Sequence, residues 1–209
     1  MVKRIGIGLL GMGVVGGGVA RIISEKSDLL ERQIGAKLDL RGVLVRNQNK
    51  PRSFQIPEGR FADSSESILG DSNVDIVVEL MGGEEPALSY ILKAVSNGKH
   101  VVTANKEVMA KHGPAIFDAA RKRDVRVLFE ASVAGGTPIV SPLMRDLVSN
   151  DVKSIKAIIN GTTNYILTRM ANEQADYEEV LQAAQALGYA ESDPTNDVEG
   201  IDASYKLAI

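Results

Sequence analysis

Short apolar runs alternate with helix-period stretches along the first 130 residues of the chain. The apolar runs predict strands at Lys3–Leu10, Leu38–Val45, Val74–Leu80, His100–Thr103 and Val125–Phe129. Apolar residues three and four apart predict helices at Val14–Glu25, Glu85–Ser96 and Pro114–Arg123. Strands separated by helices of this length imply βαβ units and a largely parallel sheet. The pattern therefore predicts an α/β fold with a doubly wound parallel sheet.

The sequence pattern changes near residue 130, where glycines and small residues replace the alternation of predicted strands and helices. We expect a first domain at residues 1–130 and a second, partial α+β domain at 131–209. The pattern in the second domain predicts helices near Ile139–Val148, Tyr165–Asn172 and Tyr177–Leu187, and a strand near Val152–Asn160. A last helix starts near Val198 and is still periodic at Ile209, with no glycine stop. We expect the chain to be a fragment cut within that helix.

Composition narrows the function classes. The 209 residues carry a net charge of −3, and positive and negative side chains are interspersed. This is not the charge pattern of a protein that binds nucleic acid or a membrane surface. No apolar run is long enough to cross a bilayer, and no signal-peptide pattern opens the chain. Cysteine is absent, so neither a disulfide nor a thiol nucleophile is available. A cytoplasmic protein acting on a small molecule is the expectation.

A glycine fingerprint follows the first predicted strand and opens the first predicted helix. Its residues, the candidate dinucleotide site, are Gly11, Met12, Gly13, Val14, Val15 and Gly16. Glycines at this spacing allow a tight turn and close approach of the backbone to a pyrophosphate at the helix N-terminus. The alternative is a flexible connection between strand and helix. The strand–glycine–helix context favours a Rossmann-type nucleotide domain.

A basic stretch follows the second predicted strand, where such domains read the 2′ position of the coenzyme. It contains Arg46, Lys50 and Arg52 and no carboxylate. An acidic residue there favours NAD, whereas arginine favours the 2′-phosphate of NADP. The stretch therefore favours NADP(H), with NAD(H) possible and a solvated basic loop as the alternative.

Elimination narrows the residue types that could serve as the acid–base group. The two histidines lie at a strand start and before a glycine, no Cys/His set suits zinc, and no Tyr-x-x-x-Lys pair occurs. Lysines and carboxylates remain. Lys106 follows a predicted strand, and Lys206 lies four residues after Asp202, on the same helix face. A simple turn at Lys106 and an exposed ion pair at Lys206 are the alternatives.

Several motifs together resemble the homoserine dehydrogenase family. The resemblance rests on Glu79–Gly83, Val101–Lys106, Phe129–Gly136, Asn160–Tyr165 and the terminal segment Gly188–Lys206, in the family's order. It implies reversible reduction of L-aspartate 4-semialdehyde to L-homoserine with NAD(P)H, in threonine and methionine synthesis.

The resemblance also implies roles for individual residues. Lys206 would protonate the nascent alkoxide, and Lys106 would lie beside the reacting oxygen and the nicotinamide. Glu191 and Asp202 would hold the substrate, and Gly188 would approach the coenzyme.

A monovalent cation such as Na⁺ is implied as well. Its ligands would be Glu130 and the carbonyl oxygens of Val133, Gly135 and Thr137, since oxygen ligands suit a hard cation. The family likeness further implies a homodimer formed through the part of the family's chain beyond Ile209. The alternative to an enzyme is a non-catalytic dinucleotide-binding module or an inactive fragment.

Overall fold

The computed structural model describes residues 2–209. Within that range five strands form one parallel sheet in the order β2-β1-β3-β4-β5. The strands are β1 Lys3–Leu10, β2 Ala36–Leu44, β3 Ile76–Glu79, β4 His100–Thr103 and β5 Val127–Leu128. The predicted α/β class with a parallel sheet is confirmed, and each predicted strand of the first 130 residues is present. β1 and β4 have the predicted bounds, β2 begins two residues earlier and ends one earlier, and β3 and β5 are shortened at both ends.

Helices connect these strands. They are α1 Val14–Glu25, α2 Ser27–Ile34, α3 Glu66–Leu69, α4 Ala87–Ser96 and α5 Lys106–Lys122, followed by a 3₁₀ turn at Glu130–Ser132. α1 has the predicted bounds. α5 begins well before the predicted Pro114, because the Asn105 side chain caps the helix by accepting from the Val108 N–H at 3.1 Å. Pro114 lies inside the helix instead.

The core of the sheet is built from strands that are apolar along much of their length. Leu9, Val43, Val77 and Val101 are fully buried, each on a different strand. In β1 the residues from Gly6 to Leu10 are all buried, with no alternation. Continuous burial of this kind is typical of parallel strands with both faces covered.

The strand order places a topological switch point at the carboxyl end of β1. β1 lies between β2 and β3, so connections on its two sides diverge at the carboxyl end of β1. The last residues of β1, β3 and β4 are in register with one another; they are Leu10, Glu79 and Thr103. The loops that follow therefore all start at the carboxyl end of the sheet. Open α/β folds bind ligands at such a switch point.

The chain divides into two compact units, Met1–Gly136 and Thr137–Ile209. The second unit contains a π-helical turn at Pro142–Asp146 and the helices α6 Gly161–Glu173, α7 Tyr177–Ala186, α8 Thr195–Val198 and α9 Ile201–Ala208. Ile166, Val180, Ala184 and Ala190 form its small core. Across the described residues, no helix is both long enough and apolar enough to cross a membrane.

Several predictions for the second unit differ from the structure. The helix predicted near Ile139–Val148 is a π-helical turn at Pro142–Asp146, and the last helix begins at Ile201 rather than near Val198. The strand expected near Val152–Asn160 is absent: the described residues 151–160 form no regular element, and 151–159 are exposed. A strand needs a hydrogen-bonded neighbour, and the described chain pairs none with this segment. α6 starts at Gly161, ahead of the predicted Tyr165, because Asn160 caps it through the Thr163 N–H at 2.8 Å.

Two glycines of α1 should respond in opposite ways to alanine. A Cβ on Gly16 would lie 2.2 Å from the carbonyl oxygen of Gly11, whereas a Cβ on Gly18 would meet nothing within 4 Å. We expect Gly16→Ala to lower the free energy of unfolding by about 1–3 kcal/mol, because backbone must move. Gly18→Ala should raise it by up to about 1 kcal/mol through helix propensity. Urea unfolding of both variants measures this; equal stabilities would contradict the packing described.

Candidate active site

A lysine–aspartate pair lies on the last helix of the second unit. Lys206 Nζ is 2.5 Å from Asp202 Oδ2, and the two residues are one turn apart on α9. The Asp202 side chain is only 9% exposed and the Lys206 side chain 24%. The pair is therefore not the solvent-exposed ion pair that the sequence left open as an alternative.

Asn160 holds two carboxylates through its single amide group. Its Nδ2 donates to Asp202 Oδ2 at 2.8 Å and to Asp197 Oδ1 at 2.7 Å. Asn160 and Asp202 are both buried. Thr162 adds a donor, with Oγ1 at 2.9 Å from Asp197 Oδ2 and 2.7 Å from the Tyr189 carbonyl oxygen. A buried carboxylate is tolerated only when donors of this kind replace water.

The ammonium group of Lys206 is held from two directions. Besides Asp202, it donates to the carbonyl oxygen of Ile159 at 2.5 Å. An ammonium group carries three donors. Within residues 2–209, two of them have acceptors, which leaves the third for an oxygen of a ligand.

The loop between α7 and α8 carries the other terminal-motif residues. Gly188 has φ +77°, a left-handed conformation that a glycine adopts without strain. Glu191 is exposed, and its carboxylate makes no hydrogen bond or ion pair to any described residue. Hydrogen bonds from the Thr195 hydroxyl and backbone N–H, at 2.6 and 3.1 Å, lower the pKa of Asp193.

In the first unit, Lys106 is the first residue of α5 and is partly buried. The turn that carries it is fixed by a buried chain of hydrogen bonds. Thr103 Oγ1 donates to Glu79 Oε2 at 2.6 Å and accepts from the Asn105 N–H at 2.9 Å. Glu79 is fully buried, and its other oxygen accepts from the Met81 N–H at 2.7 Å. The exits of β3 and β4 are thereby joined.

The glycine loop has the features that a pyrophosphate requires. Gly11 has φ +94°, and a Cβ there would lie 2.6 Å from the Leu80 carbonyl oxygen. Gly13 caps α1 with no side-chain hydrogen bond, and the first turn carries no acidic residue. The N–H groups at this helix end are thus available to an anion. Val14 is 92% exposed, an apolar side chain at the helix entrance where a coenzyme would cover it.

The basic loop after β2 separates into two kinds of cation. Arg46 and Lys50 are exposed, and neither side chain bonds to a described residue. The guanidinium N–H groups of Arg52 instead donate hydrogen bonds to backbone carbonyl oxygens. The sequence shows three cations in this loop but not how Arg52 is bound, because its acceptors are backbone carbonyl oxygens.

The expected cation ligands lie on either side of the unit boundary. Glu130, Val133 and Gly135 belong to the first unit, and Thr137 opens the second. Ala134 and Gly136, between these positions, have φ +48° and +80°. Among residues 2–209 no group of three or more His, Cys, Asp or Glu side chains clusters as a metal site.

Asn160 and Glu79 are the structural residues that sequence reasoning missed. Both residues lie in motifs that resemble the homoserine dehydrogenase family. The spacing of residues in the sequence did not indicate that Asn160 binds two carboxylates or that Glu79 is buried. Their partners are 37, 42 and 24 residues distant in sequence, beyond the reach of local patterns.

Removing the Asn160 amide should lower the stability of the second unit. Asn160→Ala leaves two carboxylates short of a donor and removes the cap of α6. We expect a loss of about 3 kcal/mol in the free energy of unfolding. Asn172→Ala, at an exposed position of the same helix, is the matched control and should change little. A similar result for both variants in urea unfolding would contradict the network's role.

Comparison with known proteins bears on the whole chain. A family model for the homoserine dehydrogenase NAD binding domain matches residues 11–130, and one for homoserine dehydrogenase matches residues 138–209. The homoserine dehydrogenase of Synechocystis sp. is 50% identical over 206 residues, covering 97% of this chain and 46% of the relative. That of Bacillus subtilis is 44% identical, covering 99% and 48%. The chain spans about half the length of the curated relatives it matches.

Solved structures agree. The crystal structure of a homoserine dehydrogenase from Thiobacillus denitrificans has a TM-score of 0.90 at 45% identity, covering 98% of this chain and 47% of that one. A hyperthermophilic archaeal homoserine dehydrogenase in complex with NADPH has a TM-score of 0.81 at 26% identity, covering 99% and 68%. The chain belongs to the homoserine dehydrogenase family.

Proposed function

We propose that the protein containing this chain catalyses the reversible NAD(P)H-dependent reduction of L-aspartate 4-semialdehyde to L-homoserine, in threonine and methionine synthesis. The observation that carries the proposal is the half-buried Lys206 ammonium, held by Asp202 and a carbonyl oxygen with one donor left over. A module that only binds nucleotide has no use for such a group. The family membership of both halves of the chain supports the same reaction.

In this proposal Lys206 is the proton donor. When bound, the reduced nicotinamide supplies a hydride to the aldehyde carbon, and the carbonyl oxygen gains negative charge. Lys206 transfers one proton to that oxygen, giving the alcohol, and recovers it from water. Asp202 and Ile159 fix two directions of the ammonium, so the remaining N–H is aimed rather than free to rotate. A positioned general acid of this kind contributes about 10²–10⁴-fold to rate.

The substrate's charged groups suit the other residues that the family likeness implies. The exposed Glu191 carboxylate, which no described residue engages, is a partner for the substrate ammonium. Asp202 contributes as a substrate contact and as the partner of Lys206. Lys106, at the N-terminus of α5, would add a second cation beside the developing negative charge.

The proposed coenzyme is NADP(H), with NAD(H) as the alternative. Gly11–Gly16 and the N-terminus of α1 would hold the pyrophosphate, and Gly188 would approach the nicotinamide end. Arg46, exposed and unengaged by described residues, would bind the 2′-phosphate. The archaeal relative whose complex contains NADPH supports this preference.

The proposal includes three features that rest on the family likeness. One is a monovalent cation held by Glu130 and the carbonyl oxygens of Val133, Gly135 and Thr137, a set of hard oxygen ligands. The others are a homodimer and a cytoplasmic setting. Sedimentation of the full-length gene product tests the dimer.

Loss of the Lys206 ammonium should slow turnover strongly without abolishing nucleotide binding. In the full-length gene product, Lys206→Ala should lower kcat for semialdehyde reduction by about 10²–10⁴-fold, because the positioned general acid is lost. The dissociation constant for NADPH should stay within about twofold, a difference well below 1 kcal/mol. The measurement is nucleotide oxidation by absorbance, with binding followed by nucleotide fluorescence.

Lys153→Ala is the matched control, since Lys153 is exposed in the same unit and bonds to no described residue. It should keep the unsubstituted rate. If Lys206→Ala also kept that rate, the assigned proton donor would be wrong. An unsubstituted protein that binds nucleotide but never turns over would favour the binding-module alternative.

Arg46 should discriminate between the two coenzymes. Arg46→Ala should weaken NADPH binding roughly 10- to 100-fold, the value of one charge-assisted hydrogen bond, and leave NADH binding nearly unchanged. Lys122→Ala is the control, an exposed cation in the last turn of α5. Dissociation constants from nucleotide fluorescence measure the effect. An equal loss for NADPH and NADH would show that Arg46 does not bind the 2′-phosphate.

A further inference from the structure

Arg52 joins two loops that are separate in sequence. Its Nε donates to the carbonyl oxygen of Met12 at 3.3 Å, in the glycine loop. Its Nη1 donates to the carbonyl oxygens of Gln48 and Lys50 at 2.9 and 2.8 Å, and its Nη2 to that of Asn47 at 2.5 Å. One side chain thereby fastens the loop after β2 to the loop after β1.

The guanidinium of Arg52 is nearly saturated by these contacts. It has five N–H donors, and four hydrogen bonds to carbonyl oxygens use most of them. Its Cζ lies 5.3 Å from the ring centroid of Phe61, so an aromatic face covers one side of the guanidinium. Arg52 is partly buried in this arrangement, in contrast to Arg46 and Lys50. It is poorly placed to exchange these partners for a phosphate.

The loop that Arg52 fastens is the one expected to read the coenzyme's 2′ position. Its carbonyl acceptors are consecutive or nearly so, at residues 47, 48 and 50, immediately after Arg46. An Asx turn, in which the Asn49 N–H donates to Asn47 Oδ1 at 2.9 Å, tightens the same loop. The anchor at Met12 lies between the glycines that would hold the pyrophosphate. The distance between the pyrophosphate and 2′-phosphate sites is therefore tied to this one side chain.

We propose that Arg52 is a specificity-determining positioning residue: it binds the 47–50 loop to the glycine loop and so presents Arg46 to the 2′-phosphate of NADP(H). The inference rests on the proposed function, because it assumes that a dinucleotide occupies the glycine loop. Arg52 acts through Arg46 and does not itself bind the phosphate. A planar fork with several donors is required, so a lysine at this position cannot replace it.

The test is a double-substitution cycle read by binding, in the full-length gene product. Dissociation constants for NADPH and NADH are measured by nucleotide fluorescence for Arg52→Gln, Arg46→Ala and the double variant. We expect Arg52→Gln to weaken NADPH roughly tenfold and NADH much less. In the Arg46→Ala background the same substitution should cost NADPH nothing further, because the residue through which Arg52 acts is gone.

Arg52→Lys is the second variant, which keeps the positive charge and guards against a failure of Arg52→Gln to fold. It should lose NADPH affinity as Arg52→Gln does. Wild-type NADPH affinity in Arg52→Lys would overturn the inference, as would equal losses for NADPH and NADH. Additive losses with Arg46→Ala would show that Arg52 acts independently of Arg46, and would overturn it too.

The outcomes for the proposed function are separate. Turnover of the semialdehyde by the unsubstituted protein is assayed in parallel. A protein that binds both nucleotides but reduces nothing would contradict the proposed reaction, while the coupling between Arg52 and Arg46 would still be measured in the binding data.

Discussion

The buried carboxylate of Asp202 is the group on which the arrangement of the second unit depends. It accepts from the Asn160 amide and the Lys206 ammonium, which come from different segments of the chain. A carboxylate taken out of water is tolerated only with such donors, so the charge fixes the relative positions of α6 and α9. The same requirement holds Lys206 in one direction. Folding stability and the candidate chemistry therefore depend on one electrostatic constraint.

The first unit meets a different constraint, because its ligand edge must remain open to an anion. Glycines let the backbone of β1's exit approach that of β3, as the left-handed Gly11 against Leu80 shows. α1 begins without a side-chain cap or an acidic first turn, which leaves its N–H groups unoccupied. Buried Glu79, bonded to Thr103, holds the neighbouring exits together. Buried hydrogen bonds therefore fix the carboxyl ends of β3 and β4, whereas the first N–H groups of α1 are left for an anion.

Local patterns predicted the five strands of the first unit, because βαβ units are built from elements that carry their own periodicity. The short helices α2 and α3 were not predicted. The second unit was harder. Residues 152–160 have strand-like composition, but a strand exists only with a neighbour, and composition cannot supply one. The helix predicted at Pro114–Arg123 begins earlier, at Lys106, because the Asn105 side chain caps it. The pairing of Lys206 with Asp202 was predictable from spacing, but its burial depends on Asn160, which is distant in sequence.

We propose that this chain carries the coenzyme platform and the acid–base pair of a hydride-transfer enzyme. The most direct measurement follows the hydrogen itself. The full-length gene product is incubated with L-aspartate 4-semialdehyde and NADPH carrying deuterium at the transferable nicotinamide position, and the product is analysed by mass spectrometry. We expect L-homoserine with one deuterium on the carbon that was the aldehyde. Nucleotide binding without deuterium in any reduced product would contradict it.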